Sequence, residues 1–331
     1  MIAFLRKNHA DIAMSLLMIV WGLNFIVIKD AFDDMTPMTF NALRFSVSVP
    51  FLAAFAWRGH FLRRMAPRDA LYLVGIVGPL LLGLQWFWFL GQERTTATNA
   101  ALLQASAPMW TAIISILAGM LQINRMLTLG VIGTVVGVIL VIAGQPDTAI
   151  SFSSENMVGN VLNIFSAMCF AGVTILSKRL VDRYGGVIIG IYTHWTTWVG
   201  LLLIASPDLV TLRPDDVPLS VWPNLLFSAL LANALGFPLY NYSIKVMGPT
   251  RASMYSNFPP IFAALGGYFL LGESLTALLI FGGVLTLVSV ITVRRHARSV
   301  DPTMPTAHPR FLSRRTRRIA ADEFPGEFPI E

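Results

Sequence analysis

Charge is scarce in this chain. Asp, Glu, Lys and Arg make up 13% of its 331 residues, against about 25% in a soluble domain. Hydrophobic residues make up 55%, and mean hydropathy is +0.65. So little charge cannot cover an ordinary soluble surface, and lipid is the expected solvent. Cysteine is nearly missing. Cys169 stands alone, which excludes an intrachain disulfide, and its apolar run points to a packed thiol. Acid avoids the middles of the apolar runs: Asp11, Asp69, Glu93 and Glu273 fall near their ends or in the turns. There is no His-Glu-x-x-His, no pair of aspartates at membrane depth and no Gly-x-Ser-x-Gly turn. These absences argue against an enzyme and leave no catalytic, metal or cofactor constellation. The net charge of +6 is explained by topology and a basic tail, so nucleic acid is not an expected partner.

Apolar runs of about 20 residues, the length that crosses a bilayer as helix, are abundant. They are placed near 10–29, 38–57, 69–90, 97–120, 127–145, 157–177, 187–205, 221–244, 250–271 and 275–293. The expected fold class is an all-α membrane protein of ten transmembrane helices. The first run follows Arg6 and Lys7 and lacks a small-residue cleavage site, so it reads as a retained span. Lys and Arg set the orientation. With the N-terminus inside, fifteen basic residues fall on the inner side, among them Arg58, Arg68, Arg125, Arg179 and Arg294. Only Lys29, Arg94 and Arg213 fall outside. Both termini are then cytoplasmic in a multi-pass cell-membrane protein. The stretch 294–331 is basic, then acidic and proline-rich, and is expected to be disordered. It either contacts anionic membrane lipid or is a solvated tail that only helps set topology.

The chain repeats itself. Val20-Trp21-Gly22-Leu23-Asn24-Phe25-Ile26-Val27-Ile28-Lys29 is echoed by Cys169-Phe170-Ala171-Gly172-Val173-Thr174-Ile175-Leu176-Ser177-Lys178, an offset of 149. The stretch from Ala97 to Trp110 is echoed by Met247 to Phe262 at an offset near 152. The halves are read as 10–145 and 157–293. Five helices per half is odd, so the second copy enters the membrane inverted. That architecture belongs to secondary transporters, which bind substrate near the midplane where the halves meet.

The echoed residues carry a family resemblance. Trp21-Gly22-Leu23-Asn24-Phe25 with Lys29, then Leu43-Arg44-Phe45, resembles the first repeat of the EamA family of the drug/metabolite transporter superfamily. Ala97-Thr98-Asn99-Ala100-Ala101-Leu102-Leu103 followed by Pro108 resembles that repeat's fourth span. Gly248-Pro249-Thr250-Arg251-Ala252-Ser253 and Leu271-Gly272-Glu273-Ser274-Leu275 resemble the ninth span and the turn into the tenth. The Gly-Glu that many relatives carry after the fourth span is absent here, where Leu121-Gln122 stands. The resemblance implies ten helices, cytoplasmic termini, and export of amino acids or similar metabolites.

Candidate site residues follow from helical faces at 100° per residue. Pro108 and Pro260 align in the repeat and should break spans four and nine, freeing the carbonyls of Gln104 and Ser256 into a cavity; a fixed packing kink is the alternative. Asn99, Ser106 and Trp110 share a face, as do Tyr255, Phe258 and Phe262. Gln85, Trp88 and Gln92 cluster, as do Asn233, Phe237 and Tyr240, and Asn24 lies one turn from Trp21. Amides among aromatic walls suit a small amphipathic substrate, with aromatic amino acids a candidate. Core or interfacial packing is the alternative for Trp88 and Trp110, and the favoured reading for Trp86, Trp195 and Trp198. Arg44 lies two turns into span two with Asn41 and Ser48. It either holds a substrate carboxylate or reaches outward to Asp30, Asp33 or Asp34. His194 is the one candidate for a proton carrier in a span, and a packed or interfacial histidine is the favoured reading. With no acid at membrane depth, facilitated diffusion or exchange is expected rather than proton coupling. Gly133-Thr134-Val135-Val136-Gly137 and Gly282-Gly283 allow close helix approach, read as packing within a monomer rather than dimerisation. The rival class is a channel-like or scaffold membrane protein without saturable transport.

Overall fold

The computed structural model describes residues 2–59, 64–144, 155–213, 215, 217–236 and 257–296, with 239, 240, 243, 246 and 255. Side chains are described from Ala10 in the first helix and from Asn156 in the sixth. The main helical segments are α1 (Ile2–Ala31), α2 (Pro37–Arg58), α3 (Pro67–Glu93), α4 (Ala97–Leu117), α5 (Arg125–Ala143), α6 (Glu155–Tyr184), α7 (Gly186–Thr211), α8 (Val221–Leu235), α9 (Pro259–Leu270) and α10 (Ala277–His296). Among the described residues, eight helices are long and apolar enough to cross a membrane, and α8 and α9 are shorter. Nothing else among them is strand or sheet. The tail beyond His296 lies outside the described residues.

Bonds between helix ends gather many termini on one face. Lys29, at the end of α1, donates to the carbonyls of Gln92 (3.2 Å) and Glu93 (2.6 Å) at the end of α3. Asn224, at the start of α8, donates to Asp30 (2.7 Å). Thr36, before α2, donates to Asp208 near the end of α7 (3.0 Å). Thr276, before α10, donates to the carbonyl of Gly144 after α5 (2.5 Å). The opposite ends are joined by other bonds. Asn124, before α5, donates to the carbonyl of His296 (2.9 Å), and Tyr255 donates to Asp11 (2.8 Å). Consecutive helices therefore run in opposite directions, as short connections require.

Glu273 explains one family-like motif. Gly272 has φ +67°, the left-handed turn that glycine adopts cheaply after a helix. The turn swings Glu273 back onto the start of α4, where its carboxylate accepts from Ala97 N (2.6 Å), Thr98 N (3.1 Å) and Thr98 Oγ1 (2.5 Å). An anion at a helix N-terminus satisfies orphan amides and meets the positive end of the dipole. Gly119 repeats the turn after α4 with φ +73°, but no acid follows it.

The glycine motifs join α5 to α10. A Cβ on Gly137 would lie 2.4 Å from Thr286 Oγ1 and 2.9 Å from the Gly282 carbonyl, and one on Gly133 would lie 2.3 Å from Ser289 Oγ. The close approach falls within the chain, as expected. Trp198 Nε1 donates to Ser46 Oγ (2.9 Å), tying α7 to α2, and Trp86 is 38% exposed. Both fit the packing reading of these tryptophans.

Candidate functional site

Arg44 is buried on α2, at 4% exposure. Its Nη2 donates to Gln85 Oε1 on α3 (3.3 Å), which also accepts from Asn41 Nδ2 (3.3 Å). The guanidinium carbon lies 4.9 Å from the centre of the Phe89 ring, 5.3 Å from Phe45 and 5.5 Å from Trp88. Cation–π contact is worth about 2 kcal/mol or more when desolvated, comparable with the roughly 2.5–3.5 kcal/mol cost of arginine at membrane depth. The rings can therefore hold the cation. They leave its donors short of acceptors: among the described residues, Arg44 Nε has no partner and no carboxylate lies within 4 Å of the guanidinium. Trp88 Nε1 beside it is also buried without a partner. Arg44 does not reach outward to Asp30, Asp33 or Asp34. At the C-terminal end of α1, Lys29 does the reaching instead, to backbone carbonyls.

Asn233 lies within a second polar chain that meets the same helix. Its Nδ2 donates to Ser48 Oγ (3.1 Å), one turn beyond Arg44, and its Oδ1 lies 3.1 Å from His194 Nε2. His194 Nδ1 lies 2.8 Å from the Gly190 carbonyl, and the imidazole ring rests 5.5 Å from that of Phe45. Residues from α2, α3, α7 and α8 thus converge, drawing on both halves of the sequence. The sequence favours packing over a proton-carrier role for His194; its place in this polar chain is the main addition of the structure.

The remaining candidates divide. Asn24 is buried with an unpartnered Oδ1, and Asn99 is buried with both amide atoms unpartnered among the described residues. Trp110 Nε1 is likewise buried without a partner. Nearby, Phe25 meets Trp88 edge-on at 5.6 Å and packs with Ala97, Ala100 and Ala101, which draws α1 and α4 toward the Arg44 group. Tyr240 and Tyr255 belong elsewhere. They pack with Trp21, Phe262, Met14 and Met18, with Trp21 and Tyr240 ring centres 5.4 Å apart. Gln92 is structural, donating to the Phe25 carbonyl. Phe258 keeps ring contact with Tyr255 (centres 6.1 Å apart) but is exposed, while Phe262 packs inward with Tyr255. Phe237 and Ser256 lie outside the described residues.

The proline breaks hold, with a shift of detail. In α4 the helix stops at Gln104, turns at Ala105 and Ser106, and restarts with Pro108 in its first turn. Pro260 occupies the first turn of α9 after a turn at Asn257 and Phe258. Both prolines start a segment instead of kinking the middle of one. Pro260 is buried, in the first turn of α9, the end that packs on Gly22 through Pro259, Phe262 and Ala263. Gln104 Oε1 is unpartnered.

An open cavity of about 900 Å³ lies elsewhere, lined by Arg68, Asp69, Arg179, Asp182 and Arg183. There Arg179 and Arg183 bridge Asp69 at 3.1 and 2.8 Å, joining the start of α3 to the end of α6. Sixteen residues separate Asp69 from Gln85, roughly 24 Å of helix, so this cavity is a feature of the helix ends.

The sequence profile of the EamA-like transporter family matches residues 8–143 and again 157–295. An uncharacterized transporter of Archaeoglobus fulgidus is 25% identical over 88% of this chain and 99% of its own length. A Salmonella typhimurium protein named as a probable amino-acid metabolite efflux pump is 25% identical over 86% of this chain and 96% of its own. An uncharacterized inner membrane transporter of Escherichia coli is also 25% identical, over 88% of this chain and 93% of its own. A solved crystal structure, 16% identical, superposes with a TM-score of 0.57 over 86% of this chain and 96% of that one, which supports the fold alone. The profile matches twice, once in each half, and together the two matches span the helices that carry Arg44 and His194: this chain belongs to the EamA-like transporter family.

Proposed function

We infer that this protein exports small amphipathic metabolites, amino acids or their derivatives foremost, by alternating access at a site between two inverted five-helix repeats. The observation that carries the reading is Arg44. A buried guanidinium held by aromatic rings, with open donors and no carboxylate of its own, suits a carboxylate brought by the substrate. The rings of Trp88, Phe45 and Phe25 suit the apolar body of such a molecule. Asn24, Gln85, Asn99, Trp110 and Asn233 supply polar contacts around it, and Tyr240 and Tyr255, in their separate cluster with Trp21, are not part of that wall. At 4% exposure Arg44 is reached only when the helices part, which alternating access provides. The efflux name of the Salmonella relative agrees with the direction. The alternation of helix directions and the two profile matches support ten spans in two repeats; the basic inner side supports cytoplasmic termini.

The test is efflux from cells, and from proteoliposomes, across a panel of amino acids with empty-vector controls. Arg44→Gln should lower export of the retained substrate ten- to a hundredfold, since a hydrogen bond to a charged group is worth about 1.5–3 kcal/mol. Arg44→Lys keeps the charge but loses the planar fork, and should fall between. Unchanged export in Arg44→Gln would reject the site. Flux that fails to saturate would reject the transporter mechanism itself.

A further inference from the structure

Arg44 and His194 stand 150 residues apart, and their surroundings align: Leu43-Arg44-Phe45-Ser46-Val47-Ser48-Val49 against Thr193-His194-Trp195-Thr196-Thr197-Trp198-Val199. They occupy one position in two copies, on α2 and α7, which pack directly against each other. Each engages an amide on the next helix of its own half: Arg44 with Gln85 on α3, His194 with Asn233 on α8. A permanent cation and a titratable group therefore face the same seam. Both rest against the Phe45 ring, the guanidinium carbon 5.3 Å and the imidazole centre 5.5 Å from its centre. From α3 and α8 the neighbours are the neutral amides Gln85 and Asn233. On α7 itself, the phenol ring of Tyr192 is stacked edge-on with Trp195 at 5.6 Å.

The hydrogen bonds around His194 close in two ways. Nδ1 faces the Gly190 carbonyl, which only accepts, so Nδ1 carries its hydrogen in both. In the first arrangement Nε2 is also protonated and donates to Asn233 Oδ1. Asn233 Nδ2 then donates to Ser48 Oγ, and Ser48 donates to the Phe45 carbonyl (3.3 Å). In the second, Nε2 is bare. The Asn233 amide turns over, its Nδ2 donates to Nε2, and the Ser48 hydroxyl donates to Oδ1. One proton, one amide rotation and one hydroxyl rotation separate the two states, and the chain of bonds from His194 to Ser48 is closed in both. The path runs from α7 through α8 to α2, so it crosses from one half to the other.

We propose that His194 is a proton-binding site of this transporter, the titratable counterpart of Arg44, and that a carboxylate at Arg44 and a proton at His194 bind together. The proposal rests on the reading that Arg44 holds the carboxylate. Two cations at one seam repel each other; an anion on Arg44 cancels that repulsion and favours the imidazolium. The proton arrives from water onto Nε2 and leaves the same way. This replaces the expectation of transport without proton involvement, which rested on the lack of acids at membrane depth. Histidine serves equally as a relay.

The test is ¹⁵N-histidine NMR of the purified full-length protein, with the His194 signal identified by its loss in His194→Gln. In Arg44→Gln the His194 titration midpoint should rise, with proton affinity about tenfold tighter. In the unaltered protein, phenylacetate, a carboxylate with an aromatic body, should raise the midpoint in the same direction, and phenethylamine should not. A midpoint unmoved by both Arg44→Gln and phenylacetate overturns the proposal, as does a His194 that stays in one form from pH 5 to 9. A midpoint moved by Arg44→Gln but not by phenylacetate rejects carboxylate binding at Arg44 and keeps the coupled pair. The phenylacetate arm needs no variant to fold.

Discussion

Lys29 and Glu273 show how this chain uses the few charges it has. Lys29 meets the carbonyl end of α3, and Glu273 meets the amide end of α4, on either side of the same short turn. Each charge has the sign that its helix end favours. Neither is a transport residue on this geometry; both fix where α3 and α4 begin and end. Arg44 differs in having rings and one amide but no counter-charge. The contrast predicts opposite phenotypes. Glu273→Ala leaves two backbone amides and a hydroxyl without their acceptor and should destabilise the protein by about 2–3 kcal/mol. Glu273→Gln keeps an acceptor and should cost less. Thermal unfolding in detergent would order them as unaltered, Gln, Ala. Arg44→Gln should spare stability and lower export ten- to a hundredfold. Equal stability of the Glu273 variants would refute the capping role.

At the scale of helices, α5 and α10 depend on missing side chains, and α4 and α9 on a missing N–H. Gly137→Val would set a methyl-bearing Cβ 2.4 Å from Thr286 Oγ1 and 2.7 Å from Thr286 N. Backbone cannot yield as a side-chain tip can, so the helices must separate. Overpacking of this kind costs about 1–3 kcal/mol, read as a lower Tm with the protein still monomeric. A dimer lost in Gly137→Val would instead mean that the face packs between chains. Close approach within the chain was legible in the sequence, from small residues four apart in a span; that α5 and α10 meet each other was not. The proline breaks were legible too. Their detail was not, because proline clashes with the carbonyl four residues earlier, and the α4 helix therefore stops at Gln104 before the ring is reached. Helical angle could place Gln92 with Gln85 and Trp88. It could not say that Gln92 turns to the Phe25 carbonyl, because periodicity shows a face and not the helix it meets. His194 was noticed but not placed for the same reason: its partners Asn233 and Ser48 lie on two other helices.

At the scale of the molecule, the bonds between helix ends divide the protein into two faces. One gathers Lys29, Asp30, Gln92, Gly144, Asp208, Asn224 and Glu273. The other gathers Asp69 with Arg179 and Arg183, and Asn124 with the end of α10. This second face also carries Arg58, Arg68, Arg125 and Arg294, by the ends of the helices that hold them. Basic residues stay on the cytoplasmic side during insertion, so the second face should be the inner one. The first half then begins at the inner face and the second half at the outer, and the site where Arg44 and His194 meet lies between. Single cysteines in a Cys169→Ser background decide it. Asp33→Cys, on the first face, should react with a membrane-impermeant maleimide in intact cells. Ile123→Cys, 70% exposed on the second face, should react only after the cells are opened. The reverse pattern would turn the molecule over and make the inferred export an import. Labelling of both in intact cells would mean that α1 to α4 do not alternate across the membrane as their end contacts require.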